Sequence, residues 1–212
     1  MMEAQTSHNG VIGVLQLQGD FAEHEAMLKS LGAKVRGVRS LEDLESVDAL
    51  VLPGGESTTI AKLLVALQMM PRLKQRIVEQ GMPVFGTCAG CILMANELVD
   101  YPEQPRIGCM DISVRRNAYG AQIDSFECEV ASDVQQFQEG PPLRAILIRA
   151  PEIMAFNKGA VKLLAHRGER AVLVQQGHML ATTFHPEITT DSRIHAYFLQ
   201  MVSEALDAQK QG

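Results

Sequence analysis

The chain has 212 residues, 46% hydrophobic and 21% charged, enough apolar material for one α/β domain with a sizeable core and unlike a disordered, collagenous or coiled-coil composition. Nineteen basic against 25 acidic side chains leave a formal net charge of −6, and no basic run is present to neutralise a phosphate backbone or an anionic membrane, so nucleic acid and membrane are not expected partners. No apolar run approaches the roughly 20 residues of a membrane span, and the polar start from Met1 to Gly10 lacks the order of a secretion signal, which points to a cytoplasmic protein.

The first apolar run, Val11-Ile12-Gly13-Val14-Leu15, is short and β-branched, and Gly19-Asp20 separates it from a helical pattern of Phe21, Met27, Leu28 and Leu31. Gly32 fits a helix C-terminus, and residues 34–38 read as a second strand. Ala49-Leu50-Val51-Leu52 is uniformly apolar, as a strand buried on both faces should be, and Pro53-Gly54-Gly55 stops it. A helix is expected over 58–69, Pro71 opens another, and Gly81 closes it. Met82-Pro83-Val84-Phe85 is a fourth strand, followed by Gly86-Thr87-Cys88-Ala89-Gly90 and a helical stretch over 91–98. Strand-like runs at 107–114, 125–130 and 144–148 then follow one another without a clear helix, which suggests an antiparallel extension. Runs at 161–165 and 171–175 precede residues 178–184, and an amphipathic helix over 191–208, capped by Asp191 or Thr190, closes the chain. The alternation predicts a single-domain three-layer α/β sandwich, a mostly parallel central sheet with helices on both faces and a small antiparallel extension. The domain is expected over 11–206, with 1–10 an N-terminal extension that need not be ordered and 207–212 a C-terminal tail.

Cys88, Cys91, Cys109 and Cys128 are too few and too scattered for a disulfide framework and read as reduced thiols. Cys88-x-x-Cys91 has no second ligand pair at zinc spacing, so no metal site is assigned. The form G-x-C-x-G between a strand and a helix is instead the cysteine counterpart of a nucleophile elbow. Such a turn lifts Cys88 to the carboxyl end of the sheet and to a helix N-terminus, which favours the thiolate. A thiol nucleophile needs a base and the base an orienting group, and Phe184-His185-Pro186-Glu187 supplies both. If His185 ends a strand, Glu187 projects to the same side and can hold one ring nitrogen while the other faces Cys88. The oxyanion formed on a carbonyl requires fixed N–H donors, and Gly55 of the 53–58 loop, with Ala89 after the nucleophile, could supply them. A phosphate loop is the weaker reading of that segment, because no Gly-Lys-Ser/Thr follows.

These three segments, Pro53-Gly54-Gly55-Glu56-Ser57-Thr58-Thr59, Gly86-Thr87-Cys88-Ala89-Gly90 and Phe184-His185-Pro186-Glu187, resemble the class I glutamine amidotransferases, and within them the glutaminase-subunit family of pyridoxal 5′-phosphate synthases. Leu17-Gln18-Gly19, Arg116-Asn117, Asp124-Ser125-Phe126 and Ile148-Arg149-Ala150-Pro151 extend the likeness over most of the chain. The resemblance implies Cys88 as nucleophile, His185 as base and acid, and Glu187 as its orienter. It also implies Gly55, Glu56, Ser57, Arg116, Ile148 and Arg149 at the L-glutamine site, with no cofactor or metal. The implied activity is hydrolysis of L-glutamine to glutamate and ammonia through a cysteine thioester. The implied partner is the barrel-shaped (TIM-barrel) synthase subunit, in a hetero-oligomeric complex that receives the ammonia for vitamin B6 synthesis. Cys91, Ala118-Tyr119 and Ala121-Gln122 depart from the usual pattern. The alternative is a cysteine hydrolase or stress-type protein of similar sheet architecture, which would not need the amino-acid clamp.

Overall fold

A computed structural model describes residues 10–116 and 125–211, so Asn117, Ala118, Tyr119, Ala121, Gln122, Asp124 and most of the expected N-terminal extension lie outside the described residues. In the first half, β1 (Val11–Leu15), α1 (Phe21–Ser30), β2 (Lys34–Val38), α2 (Leu41–Glu45), β3 (Ala49–Leu52), α3 (Ser57–Ala66), α4 (Met69–Val78), β4 (Val84–Thr87) and α5 (Ala89–Met94) follow in turn. The second half carries β5 (Ala95–Leu98), β6 (Met110–Arg115), β7 (Ser125–Val130), the single turn α6 (Gln135–Gln138), β8 (Leu143–Ile148), β9 (Glu152–Phe156), β10 (Lys162–Arg167), β11 (Arg170–Gln176), β12 (Met179–Thr182) and α7 (Arg193–Gln211).

The main sheet has the order β10-β11-β12-β4-β3-β1-β2. Its five strands from β12 to β2 are parallel, and β11 and β10 add the antiparallel extension. The fully buried strands β3, β4 and β12 show why their sequences are continuously apolar. Alternate residues feed two cores: Leu50, Leu52 and Val84 pack with Ile60, Leu64, Leu73 and Leu93 on one face, while Val51, Phe85 and Leu180 pack with Leu28, Phe198 and Val202 on the other. The expected three layers are therefore present, with α3, α4 and α5 on one face and α1 and α7 on the opposite face.

The runs at 107–114, 125–130 and 144–148 do not join this sheet. β6 pairs with β5 and β9 in a three-stranded sheet, and β7 pairs with β8 in a two-stranded one. Their burial fits the difference: β6 and β8 alternate buried and accessible positions, as suits a sheet with one wet face, whereas the interior strands β3, β4 and β12 of the main sheet are buried on both faces. The helix expected over 91–98 stops at Met94, because Ala95–Leu98 pairs in parallel with β6. The last helix runs to Gln211, so residues 207–211 continue α7 rather than forming a separate tail. Ser192 O accepts the first helical bond, from Ala196 N at 2.8 Å, so the cap position falls on Ser192 rather than Asp191 or Thr190, and Asp191 supports the start with its carboxylate accepting from Arg193 N at 3.0 Å. Among the described residues no helix is long and apolar enough to cross a membrane.

Candidate active site

β4 ends at Thr87 and α5 begins at Ala89, so Cys88 sits on the joint, with φ 46° and ψ −97°. A non-glycine residue in that region costs of order 1–3 kcal/mol and must be held by its surroundings. Two features hold it. Cys88 N donates to Thr182 O at 2.9 Å, and the flanking glycines allow close packing: a Cβ on Gly90 would lie 2.2 Å from Leu52 O. The sulfur lies 4.0 Å from the carbonyl oxygen of Ile148, the last residue of β8. Ala89, opening α5, carries one of the N–H groups that a helix start leaves without an intrahelical acceptor.

His185 follows β12 and is 3% exposed, its backbone N donating to Ile146 O at 2.9 Å. Its Nδ1 lies 2.8 Å from Glu187 Oε1, and Cys88 is near enough to act on the ring's charge. Strand alternation does not produce this reach. His185 has φ −107° and ψ 85°, and Pro186–Ile188 is one turn of 3-10 helix with proline at its start; the turn curls Glu187 back under the ring. Burial works against a charged imidazole here, but Cys88 and Glu187 outweigh it and raise His185 to about 10. Burial pushes the Glu187 carboxyl up, with the His185 contact opposing it. Asp20 Oδ2 stands 3.5 Å from His185 Nδ1. Asp20, His185 and Glu187 thus bring three metal-ligating atoms within 4.8 Å of one another, but the Nδ1 to Glu187 hydrogen bond already uses the atoms a cation would need.

The loop after β3 lies against this pair. Gly54 O accepts from Asp20 N at 3.1 Å, and Glu56 N donates to Gln18 Oε1 at 2.7 Å, which laces the β1–α1 loop to the β3–α3 loop. Gly55 takes φ +148°, and the buried Ser57 opens α3 behind the capping Glu56. Glu56 Oε1 and Arg116 are 3.4 Å apart, so two of the expected glutamine-binding residues do come together from distant segments. Arg116 also donates to Gln104 Oε1 at 2.6 Å and lies 4.4 Å above the Tyr101 ring. Ile148 contributes its carbonyl beside Cys88, and Arg149 follows with φ 42°. Among the described residues, no hydrogen bond or ion pair joins the Arg149 guanidinium to the other candidates. Sequence reasoning did not single out Asp20, Gln104, Tyr101, His24 or Thr87. Asp20 adjoins the Leu17-Gln18-Gly19 match and Thr87 lies within the elbow segment, and nothing local marks the other three. All four cysteines are free, and Cys91 is buried within α5 with its thiol pushed up by desolvation.

A family model described as the SNO glutamine amidotransferase family matches residues 14–204. The chain belongs to the SNO glutamine amidotransferase family. Relatives agree over nearly their full lengths. Pyridoxal 5′-phosphate synthase subunit PdxT of Thermus thermophilus is 47% identical over 91% of this chain and 97% of that protein. The PdxT subunit of Pelotomaculum thermopropionicum is 50% identical over 89% and 93%. A solved glutamine amidotransferase structure superposes with a TM-score of 0.83 at 46% identity, covering 91% of this chain and 99% of that one. A GMP synthase subunit from Thermoplasma acidophilum, 20% identical with a TM-score of 0.67, shares the fold. As a glutamine amidotransferase of this family, the protein is an enzyme whose chemistry is the release of nitrogen from glutamine.

Proposed function

We propose that Cys88, His185 and Glu187 are the nucleophile, the acid–base and the orienting carboxylate of the glutaminase reaction. The observation that carries the reading is the buried His185–Glu187 pair, joined by the 2.8 Å Nδ1–Oε1 hydrogen bond, with the elbow cysteine near enough to act on the imidazole's charge. The Cys88 thiolate attacks the side-chain carboxamide carbon of L-glutamine, and the carbonyl electrons move to oxygen, where the N–H groups of Ala89 and Gly55 receive the charge. The C–N bond breaks as imidazolium His185 gives its proton to the departing nitrogen, releasing ammonia and leaving a γ-glutamyl thioester. His185, now neutral, takes a proton from water; the hydroxyl attacks, the C–S bond breaks, and glutamate leaves.

Glu56 and Arg116, an acid and a guanidinium held side by side, fit the α-ammonium and α-carboxylate of the amino acid. Ser57, Ile148 and Arg149 complete the glutamine site in this reading. The released ammonia goes to a TIM-barrel synthase subunit in a hetero-oligomeric, cytoplasmic complex that makes pyridoxal 5′-phosphate; the relatives' names support the synthase part of this reading. Docking is expected to rearrange the Gly54-Gly55 segment and switch the glutaminase on. Glutamate release from L-glutamine, measured with and without the synthase subunit for wild type and Cys88→Ala, tests this. Release dependent on the partner and abolished by the substitution is expected; a Cys88→Ala protein that still hydrolyses glutamine would overturn the triad.

A further inference from the structure

The carboxylate of Glu187 has two oxygens, and His185 uses one. The other, Oε2, is buried without a hydrogen-bond partner, in a residue 4% exposed. A buried carboxylate oxygen left without a donor is costly. The polar atom facing it belongs to His24, on α1: His24 Nε2 is 3.5 Å from Glu187 Oε2 and 3.1 Å from Thr87 Oγ1. On the far side of the ring, His24 Nδ1 is 2.9 Å from Nε2 of His195 on α7. His24 and His195 are both fully buried.

The chain of contacts selects a tautomer. If His24 carried its proton on Nδ1, Nε2 would point a lone pair at the carboxylate, and His195 would need its own proton on Nδ1, an atom with no partner. That arrangement sets two lone pairs against each other and buries an N–H without an acceptor. With the proton on Nε2 of both rings, His195 donates to His24 Nδ1, His24 donates toward Thr87 and Glu187, and the only orphan is a lone pair on His195 Nδ1. From these observations we propose that His24 is a positioning residue for the glutaminase reaction, its Nε2–H holding Glu187 Oε2 so that Glu187 stays ionised and fixed beneath His185. The 3.5 Å separation is long for a hydrogen bond, and contacts of this kind tighten when the reacting complex forms. The ionisable groups facing His24 are His195 from α7 and Glu187 from the 3-10 turn, with His185 and Asp20 beyond the carboxylate. Burial, with His195 and His185 adding to it, keeps His24 well below its ordinary 6.5 and therefore neutral, as a donor that must not repel imidazolium His185 should be.

The inference rests on the triad assigned above, and the experiment separates the two. Wild type, Cys88→Ala, His24→Leu and His24→Gln are assayed with the synthase subunit for kcat, for KM of glutamine and for kcat/KM against pH, and unfolding is followed for each. Leucine removes the donor, whereas the glutamine amide nitrogen stands near the position of Nε2. His24→Leu is expected to lower kcat by about tenfold to a hundredfold, the scale for groups that orient a ligand's own partner, with KM little changed. The acidic limb of kcat/KM, on which Glu187 takes up its proton, moves to higher pH, and His24→Gln restores most of both. A His24→Leu enzyme with wild-type kcat and an unmoved limb overturns the proposal, and so do equal losses in both variants that track their unfolding temperatures. An active Cys88→Ala protein would remove the triad itself. Nitrogen-15 shifts of the wild-type histidines give an arm independent of variant folding: protonation of His24 at Nε2 is expected, and protonation at Nδ1 refutes the scheme.

Discussion

Gly54→Ala isolates the geometry of the base from its chemistry. Gly54 does not occupy the left-handed region, so alanine meets no backbone strain there, and the change acts only through its methyl group. That carbon would stand 2.3 Å from His185 Cε1 and 2.8 Å from Nδ1, where ordinary carbon contacts are about 3.5–4.0 Å. The ring must therefore retreat by more than about 1 Å, and the 2.8 Å bond to Glu187 would stretch beyond the reach of a hydrogen bond. Misplacing a catalytic group by about 1 Å costs about a hundredfold in rate, and crowding a packed site costs about 1–3 kcal/mol of stability. The expected result is a kcat for glutamate release, in the presence of the synthase subunit, about a hundredfold below wild type, in a protein that still unfolds cooperatively. Turnover at the wild-type rate would refute the claim that the β3 loop and His185 pack in this register.

Two further substitutions address stability. His195 is lowered from 6.5 to about 4 by burial, and because its folded value is depressed, its contribution is present above pH 6.5 and lost as pH falls toward 4; the gap is worth about 3 kcal/mol. Urea midpoints measured from pH 7 to pH 4 should therefore fall less steeply for His195→Phe than for wild type, and parallel curves would show that this histidine does not drive acid unfolding. Arg193 grips Asp191 and donates to the carbonyls of Phe137, Glu139 and Pro141 at 2.7–2.8 Å, so Arg193→Met should cost about 2 kcal/mol and lower the melting temperature by about 4–8 °C. An unchanged melting temperature would show that these contacts contribute nothing net.

What the sequence disclosed and what it withheld follow from the range of the interactions. Uniformly apolar runs such as Ala49-Leu50-Val51-Leu52 announce central strands, because burial on both faces leaves no polar position. The Gly86-Thr87-Cys88-Ala89-Gly90 and Phe184-His185-Pro186-Glu187 segments each carry their chemistry within five residues, and so stand out. Ala95–Leu98 did not read as a strand, since its neighbours continue a helical pattern and only pairing with β6, more than ten residues away, decides the outcome. Likewise nothing near His24 in the sequence marks it; its partners Thr87, Glu187 and His195 are 63 to 171 residues distant. Glu187 was expected beside His185, but through strand alternation rather than the proline-started turn that delivers it.

Strand order is what turns remote segments into a single centre. β12, β4 and β3 lie side by side and parallel, so their carboxyl ends share one edge with about 4.8 Å between neighbours. The nucleophile leaves the middle strand. The base arrives from one side and the glycine loop from the other, and they meet over β4, which is why Gly54 abuts His185 across the cysteine's own strand. Along β4 the side chains alternate, and Thr87 points into the layer of α1 and α7, where His24 reaches it at 3.1 Å. One residue later the backbone departs from that alternation, at φ 46°, and turns the sulfur toward the end of β8 instead. The strained cysteine therefore stands at the boundary between a buried histidine layer below, which faces Glu187, and the side above, where Glu56 is exposed beside a mostly covered Arg116. A relaxed residue at position 88 would continue the pleat and lose that division, so the elbow's strain is the means by which one sheet edge serves both sides of the reaction.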